Sequence, residues 1–170
     1  MYTKYEKYVA MAKEMGAKNV VEFKTEDIVF DPRVVLKCIF GCSDFGRGHT
    51  CPYQRSPLTM DEYKKIFEHY QGGIIIGCST KPVSQKISYE VERQSFLDGH
   101  YFSFSLSDCG LCKECSKIHD KCCNVPTKAR PAFHAIGVDV FKTVAQLGLP
   151  LYVATSPDDE MNWYSAVFID

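Results

Sequence analysis

The residues with the most chemistry to offer are Cys109, Cys112 and Cys115, each separated by two residues and followed by Cys122, Cys123 and Pro126. Three thiols at this spacing share one short loop and can all point at one centre. A fourth follows seven or eight positions later, shortly before the proline. Zinc sites usually gather two separated pairs of Cys or His ligands round one tetrahedral ion. A C-x2-C-x2-C run with a later Cys near a Pro is instead the spacing of a ferredoxin-like [4Fe–4S] loop. The soft, all-thiolate donor set favours iron–sulfur over zinc. Buried or disulfide-bonded cysteines are the plain alternative to a metal site.

A second stretch offers a similar choice. Cys38, Cys42 and Cys51 fall within fourteen residues that also hold Gly41, Gly46 and Gly48, and Pro52 follows the last thiol. The glycines permit tight turns and a close approach of backbone to a ligand. Three protein ligands with a fourth position open is the arrangement that separates a reactive metal site from a structural one. Arg47 and His49 lie in this loop and could hold a substrate carboxylate or, for His49, supply the fourth ligand. Cys78 is a further candidate for that position, although a lone thiol at a strand end is more often a small buried hydrophobe. The bland reading of the loop is a Gly-rich turn with incidental thiols.

The chain around these cysteines has 170 residues and a formal charge of −1, enough for one domain with a real core and no basic surface for nucleic acid. The metal loops are expected at 38–52 and 109–126 of a single domain over 1–170. Nine cysteines are many, but they are grouped rather than spread. The charged start at Tyr2, Lys4, Glu6 and Lys7 does not resemble a signal peptide, and no run of apolar residues spans a bilayer. A cytoplasmic setting is therefore expected, where grouped thiols stay reduced and mean metal or redox chemistry.

The elements that must position these loops follow from periodicity. Residues 2–15 read as an amphipathic helix stopped by Gly16, and Asn19–Phe23 as a short strand. Ile28–Phe30 is a second extended piece, and Val34-Val35-Leu36 reads as a strand leading into Cys38. Thr59 to Glu62 is a capping box whose helix runs toward Gly72-Gly73. Ile74-Ile75-Ile76 suits a strand buried on both faces. Residues 83–98 form a surface helix whose charges are a solvated face. Tyr101–Leu106 alternates as a half-exposed strand that delivers the chain to Cys109. Pro131 opens a helical segment that Gly137 splits, and Leu151–Val153 and Trp163–Ile169 are the last strands. The fold class expected is α/β or α+β, with one mixed sheet, flanking helices and the two cysteine-rich loops.

Taken together, Cys38-x3-Cys42 with Cys51-Pro52, the Cys109 triplet with Cys123-x2-Pro126, and Ala129-Arg130-Pro131 with Gly137-Val-Asp139-Val140-Phe141 resemble the DUF2284 family. That family is described as predicted metal-binding proteins of bacteria and archaea, many of them anaerobes. The resemblance runs from about Val34 to the last strand. It aligns Cys123, rather than Cys122, with the family's Cys before Pro, so Cys109, Cys112, Cys115 and Cys123 make a complete four-thiolate set. At Cys51-Pro52-Tyr53 the chain departs from the family's two prolines. A complete set suits electron transfer or structure more than substrate binding, and Lys113, Lys128 and Arg130 are cations that could tune it. The expected function is an iron–sulfur protein with one or two [4Fe–4S] clusters, moving electrons alone or beside a redox enzyme. A zinc-stabilised adaptor, or an enzyme using an open iron in the first loop, is the alternative. No membrane or nucleic-acid partner is expected, and no catalytic residue can be assigned from sequence.

Overall fold

The computed structural model describes residues 4–55, 58–156 and 158–170. Tyr2 of the first expected helix and Pro157 of the last expected turn lie outside them. Four strands, β1 (Asn19–Lys24), β2 (Gly72–Cys78), β3 (Phe104–Leu106) and β4 (Trp163–Phe168), form one sheet in the order β1-β2-β4-β3. Every pairing is antiparallel, so the protein is α+β, and the sheet expected to be mixed has no parallel pair. The sheet is packed on both faces, which explains the unbroken apolar run of β2. Ile74 and Ile76 pack with Tyr5 and with Tyr8, Ile87 and Val91 of the flanking helices. Ile75 points the other way and joins Phe67, Ile136, Val144 and Phe168. All three isoleucines are fully buried, each side chain contributing about 1.5–3 kcal/mol.

The first face is covered by α1 (Glu6–Glu14) and α5 (Lys81–Leu97). The helix α1 stops where expected, with Gly16 at φ 99°. The second face carries α4 (Met60–Phe67), a short 3-10 turn (His134–Ile136) and α6 (Val140–Gln146). The capping box is present: Thr59 Oγ1 accepts from the Glu62 N–H, and the Glu62 carboxylate accepts from the Thr59 N–H at 2.7 Å. Gly137 splits the later helical segment as expected, at φ 95°.

Several expectations are corrected. Val34-Val35-Leu36 is not a strand but the start of α2 (Val34–Gly41). A short apolar run fits either state. Here the carbonyls of Asp31 and Pro32 accept from Val34 N and Val35 N at 3.1 and 3.3 Å, and Pro32 supplies the φ of a first helical turn. Gly72 and Gly73 begin β2 rather than end α4, because a Cβ on Gly73 would collide with the Val167 carbonyl of β4. Only Phe104–Leu106 of the segment 101–106 is strand. The Leu151–Val153 strand is absent. Both edges of β4 are taken by β2 and β3, which leaves a hairpin partner no ladder to join. The helix α5 is also more buried than its charges imply, with Gln85 and Val91 at 0 % and Glu92 at 9 % exposure. A four-residue helix, α3 (Pro52–Arg55), follows Cys51.

Candidate metal centre

The register of the sheet brings the chemistry to one end. Cys78 at the end of β2 pairs with Trp163 at the start of β4, and Leu106 ends β3 opposite Ala166, three residues further along β4. From that edge the chain leaves into α5 on one side and into Ser107-Asp108-Cys109 on the other. Ser107 N donates to the Pro131 carbonyl at 2.8 Å, which ties the start of the cysteine loop to its exit. The helix α2 packs against the 134–136 turn and places Cys38 on its inner side, with Leu36, Ile39 and Phe40 outward.

These elements enclose a cavity of about 360 Å³ whose wall includes Cys38, Cys42 and Cys51 together with Cys109, Cys112, Cys115 and Cys123. The two cysteine stretches, far apart in sequence, thus line one space. Cys122 is exposed and is not part of that wall. Its carbonyl is instead turned inward along the loop to accept from Ser116 Oγ at 2.6 Å. Cys78 does not reach the wall either; it is buried in the core face of α1 and α5. None of the nine cysteines is in a disulfide. Among the described residues, no three Cys, His, Asp or Glu side chains converge closely enough to hold a single metal ion.

The thiols influence one another within each stretch. Burial pushes the Cys38 thiol above its usual pKa, and charge on Cys42 and Cys51 pushes it further. Burial also raises Cys109, with Cys112 and Cys123 adding to the rise. Hydrogen bonds from the Gln85 side chain and from the Leu111 N–H act against it by favouring the thiolate. The Gly46 N–H donates to Cys51 Sγ at 3.3 Å, the kind of contact that stabilises a thiolate ligand. Tyr53, on the same wall, is pushed up to about 12 by burial and then by Cys38 and Cys51.

Three side chains hold the two stretches in place. His49 Nε2 donates to the Lys121 carbonyl at 2.9 Å and lies 3.4 Å from Ser116 Oγ, so the expected fourth-ligand candidate instead stitches the first stretch to the second. Gln85, fully buried on α5, accepts from the Gly110 N–H at 2.5 Å and donates to the Lys128 carbonyl at 3.3 Å. One side chain therefore grips both ends of the Cys109–Cys123 loop. Glu92 accepts from Arg130 Nη2 and Nε and from Ser105 N, fastening the segment beyond the loop to β3.

That pairing decides the fate of the expected tuning cations. Arg130 is spent on Glu92 and stacks over Tyr89 and Phe104. Lys128 sits over the Tyr89 ring. Neither lines the cavity, whereas Lys113 does. Sequence reasoning missed Lys81, Asp108 and His134, all of them on the cavity wall. The His134 carbonyl lies 3.9 Å from Cys38 Sγ, and the Lys81 ammonium sits 5.5 Å above the Trp163 ring. Only Asp108, next to Cys109, carried a sequence signal of any kind.

A family model described as "Predicted metal-binding protein (DUF2284)" matches residues 21–169. No curated protein and no solved structure gives a significant match to the chain. Among the described residues, no helix is long and apolar enough to cross a membrane.

Proposed function

The chain belongs to the DUF2284 family of predicted metal-binding proteins, and from that premise we propose that it is an iron–sulfur protein of electron transfer. Cys109, Cys112, Cys115 and Cys123 would hold a [4Fe–4S] cluster, and Cys38, Cys42 and Cys51 would hold a second centre with an incomplete protein shell. The observation that carries this reading is the presence of seven cysteines on the wall of one cavity of about 360 Å³. Soft thiolates suit iron–sulfur chemistry. A cube offers a separate iron to each ligand, so its sulfur ligands stand wider apart than donors round one ion, as suits thiols spread over a cavity wall. Two centres in one cavity would lie close enough to exchange electrons, and a redox protein would be the natural partner. A reducing, cytoplasmic compartment would keep nine free thiols available.

Anaerobic reconstitution with iron and sulfide, followed by analysis of both and by visible spectroscopy, tests the reading. The expected product is brown, bleaches in air and carries iron and sulfide in equal amounts. A protein that keeps stoichiometric zinc and takes up no sulfide would overturn it in favour of the zinc-stabilised adaptor.

A further inference from the structure

A second cavity, of about 680 Å³, lies beside the thiol cavity and shares Asp108 and His134 with it. No cysteine lines it, so what it does is a question separate from the metal. Its wall is mainly apolar and aromatic, with Phe133, Phe141, Tyr152, Met161, Trp163 and Tyr164 as the larger contributors. Size and lining are those of a small-molecule site.

The charges on the wall narrow the ligand. Asp31 accepts from Arg33 Nη2 at 2.5 Å and Nε at 2.9 Å, and from Lys142 Nζ at 3.3 Å. Asp139 caps α6 by accepting from Lys142 N at 3.0 Å, and also meets Lys142 Nζ at 3.5 Å. Those two carboxylates are thus neutralised by Arg33 on the wall and by Lys142, which is not part of it. Lys37 is different: it lines the cavity and has no ion-pair or hydrogen-bond partner among the described residues. It lies one helical turn beyond Arg33 on α2, on the same face. Arg33 itself turns Nε and Nη2 to Asp31, leaving Nη1 as a further donor on that side. Asp108, on the wall shared with the thiol cavity, is likewise unpaired among the described residues, and it disfavours a second negative group on the ligand.

We propose that this cavity binds a small organic monocarboxylate with an aromatic or branched apolar body, its carboxylate held by Lys37 and its body packed among Phe141, Tyr152 and Trp163. The position beside the thiol cavity would place such a ligand next to the redox centre.

The single tryptophan of the chain is Trp163, which lines this cavity, so its fluorescence reports on binding there. Phenylacetate is titrated into the full-length protein, purified without oxygen, with benzyl alcohol and benzylamine as neutral and cationic counterparts. Titration calorimetry provides a second readout. Saturable binding of phenylacetate is expected, with benzyl alcohol and benzylamine at least about tenfold weaker, the factor set by loss of one charge-assisted contact. Lys37→Gln should weaken phenylacetate by about the same factor, Lys37→Arg should restore it, and Phe141→Ala should weaken all three compounds. Lys37 and Phe141 are both exposed, so neither change threatens the fold. No saturable signal in either readout, benzylamine binding as well as phenylacetate, or Lys37→Gln leaving affinity unchanged would each overturn the proposal. Metal content does not enter the measurement, so the iron–sulfur reading can fail while this one stands, and the reverse.

Discussion

Cys122 and Cys123 are chemically identical and adjacent, yet they meet different surroundings. Cys123 is half-buried on the cavity wall, where its charge acts on Cys109, while Cys122 is exposed and off that wall. Neighbouring side chains on an extended backbone point to opposite sides, so only one of two adjacent thiols can face a given centre. Cys123→Ser is therefore expected to abolish binding at the Cys109 set, and Cys122→Ser to leave it intact. Iron and sulfide content of the two reconstituted variants decides the matter, and loss in Cys122→Ser alone would reverse the assignment. His49 shows the same dependence on surroundings. Its residue type suits a ligand, but its Nε2 is committed to the Lys121 carbonyl.

At the scale of elements, the cysteine loop depends on a helix it does not belong to. Gln85 projects from α5 to the Gly110 N–H and the Lys128 carbonyl, and supports Cys109 as well. Gln85→Ala leaves Gly110 without its buried partner, which costs about 1–3 kcal/mol. The expected outcome is a lower denaturant midpoint with slower metal uptake, whereas the exposed neighbour Lys86→Ala should stay within about 0.5 kcal/mol of the parent. Equal effects from the two would show that Gln85 does not position the loop. The helix α5 also holds the far side through Glu92, whose carboxylate meets Arg130, Ser105 N and Ser105 Oγ. Both contacts come from the buried side of a helix whose sequence suggests a solvated charged face. The reason is that a salt-bridged or hydrogen-bonded polar side chain is tolerated inside, and its partner lies 38 residues further along the chain.

Across the whole molecule, two distant stretches place thiols of raised pKa in one cavity. A thiol with a raised pKa keeps its proton near neutral pH, and a metal must displace that proton to bind. Metal uptake is thus expected to release protons, with affinity rising about tenfold per pH unit for each proton displaced. Zinc or iron(II) titrations between about pH 6 and pH 8 in weakly buffered solution measure both effects. An affinity independent of pH would mean that the thiols are already ionised. Without metal the sign is opposite. A raised folded-state pKa stabilises the fold while the thiols of Cys38 and Cys109 are protonated, and that contribution is lost as pH climbs through the raised values.

Amino-acid order alone was enough for whatever local spacing controls. The Thr59 capping box, the Gly16 stop, the split at Gly137 and the doubly buried Ile74–Ile76 strand each rest on residues a few positions apart, and each is present. The cysteine spacings and the family pattern were legible for the same reason. Tertiary structure decided the rest. The run Val34-Val35-Leu36 fits strand or helix by itself, and hydrogen bonds from the Val34 and Val35 N–H groups to the Asp31 and Pro32 carbonyls select the helix that turns Cys38 inward. Leu151–Val153 has the composition of a strand, but no free edge of β4 remains for it. Arg130 looks like a cation beside the thiols until Glu92 takes it, and Lys81 and His134 carry no signal until the fold sets them on the cavity wall. Above all, two cysteine stretches that read as separate loops face one cavity, because antiparallel pairing brings the end of β3, the start of α5 and the inner side of α2 to the same edge of the sheet. Spacing along a chain fixes which thiols can share a loop; only the long-range register of the sheet fixes which loops share a space.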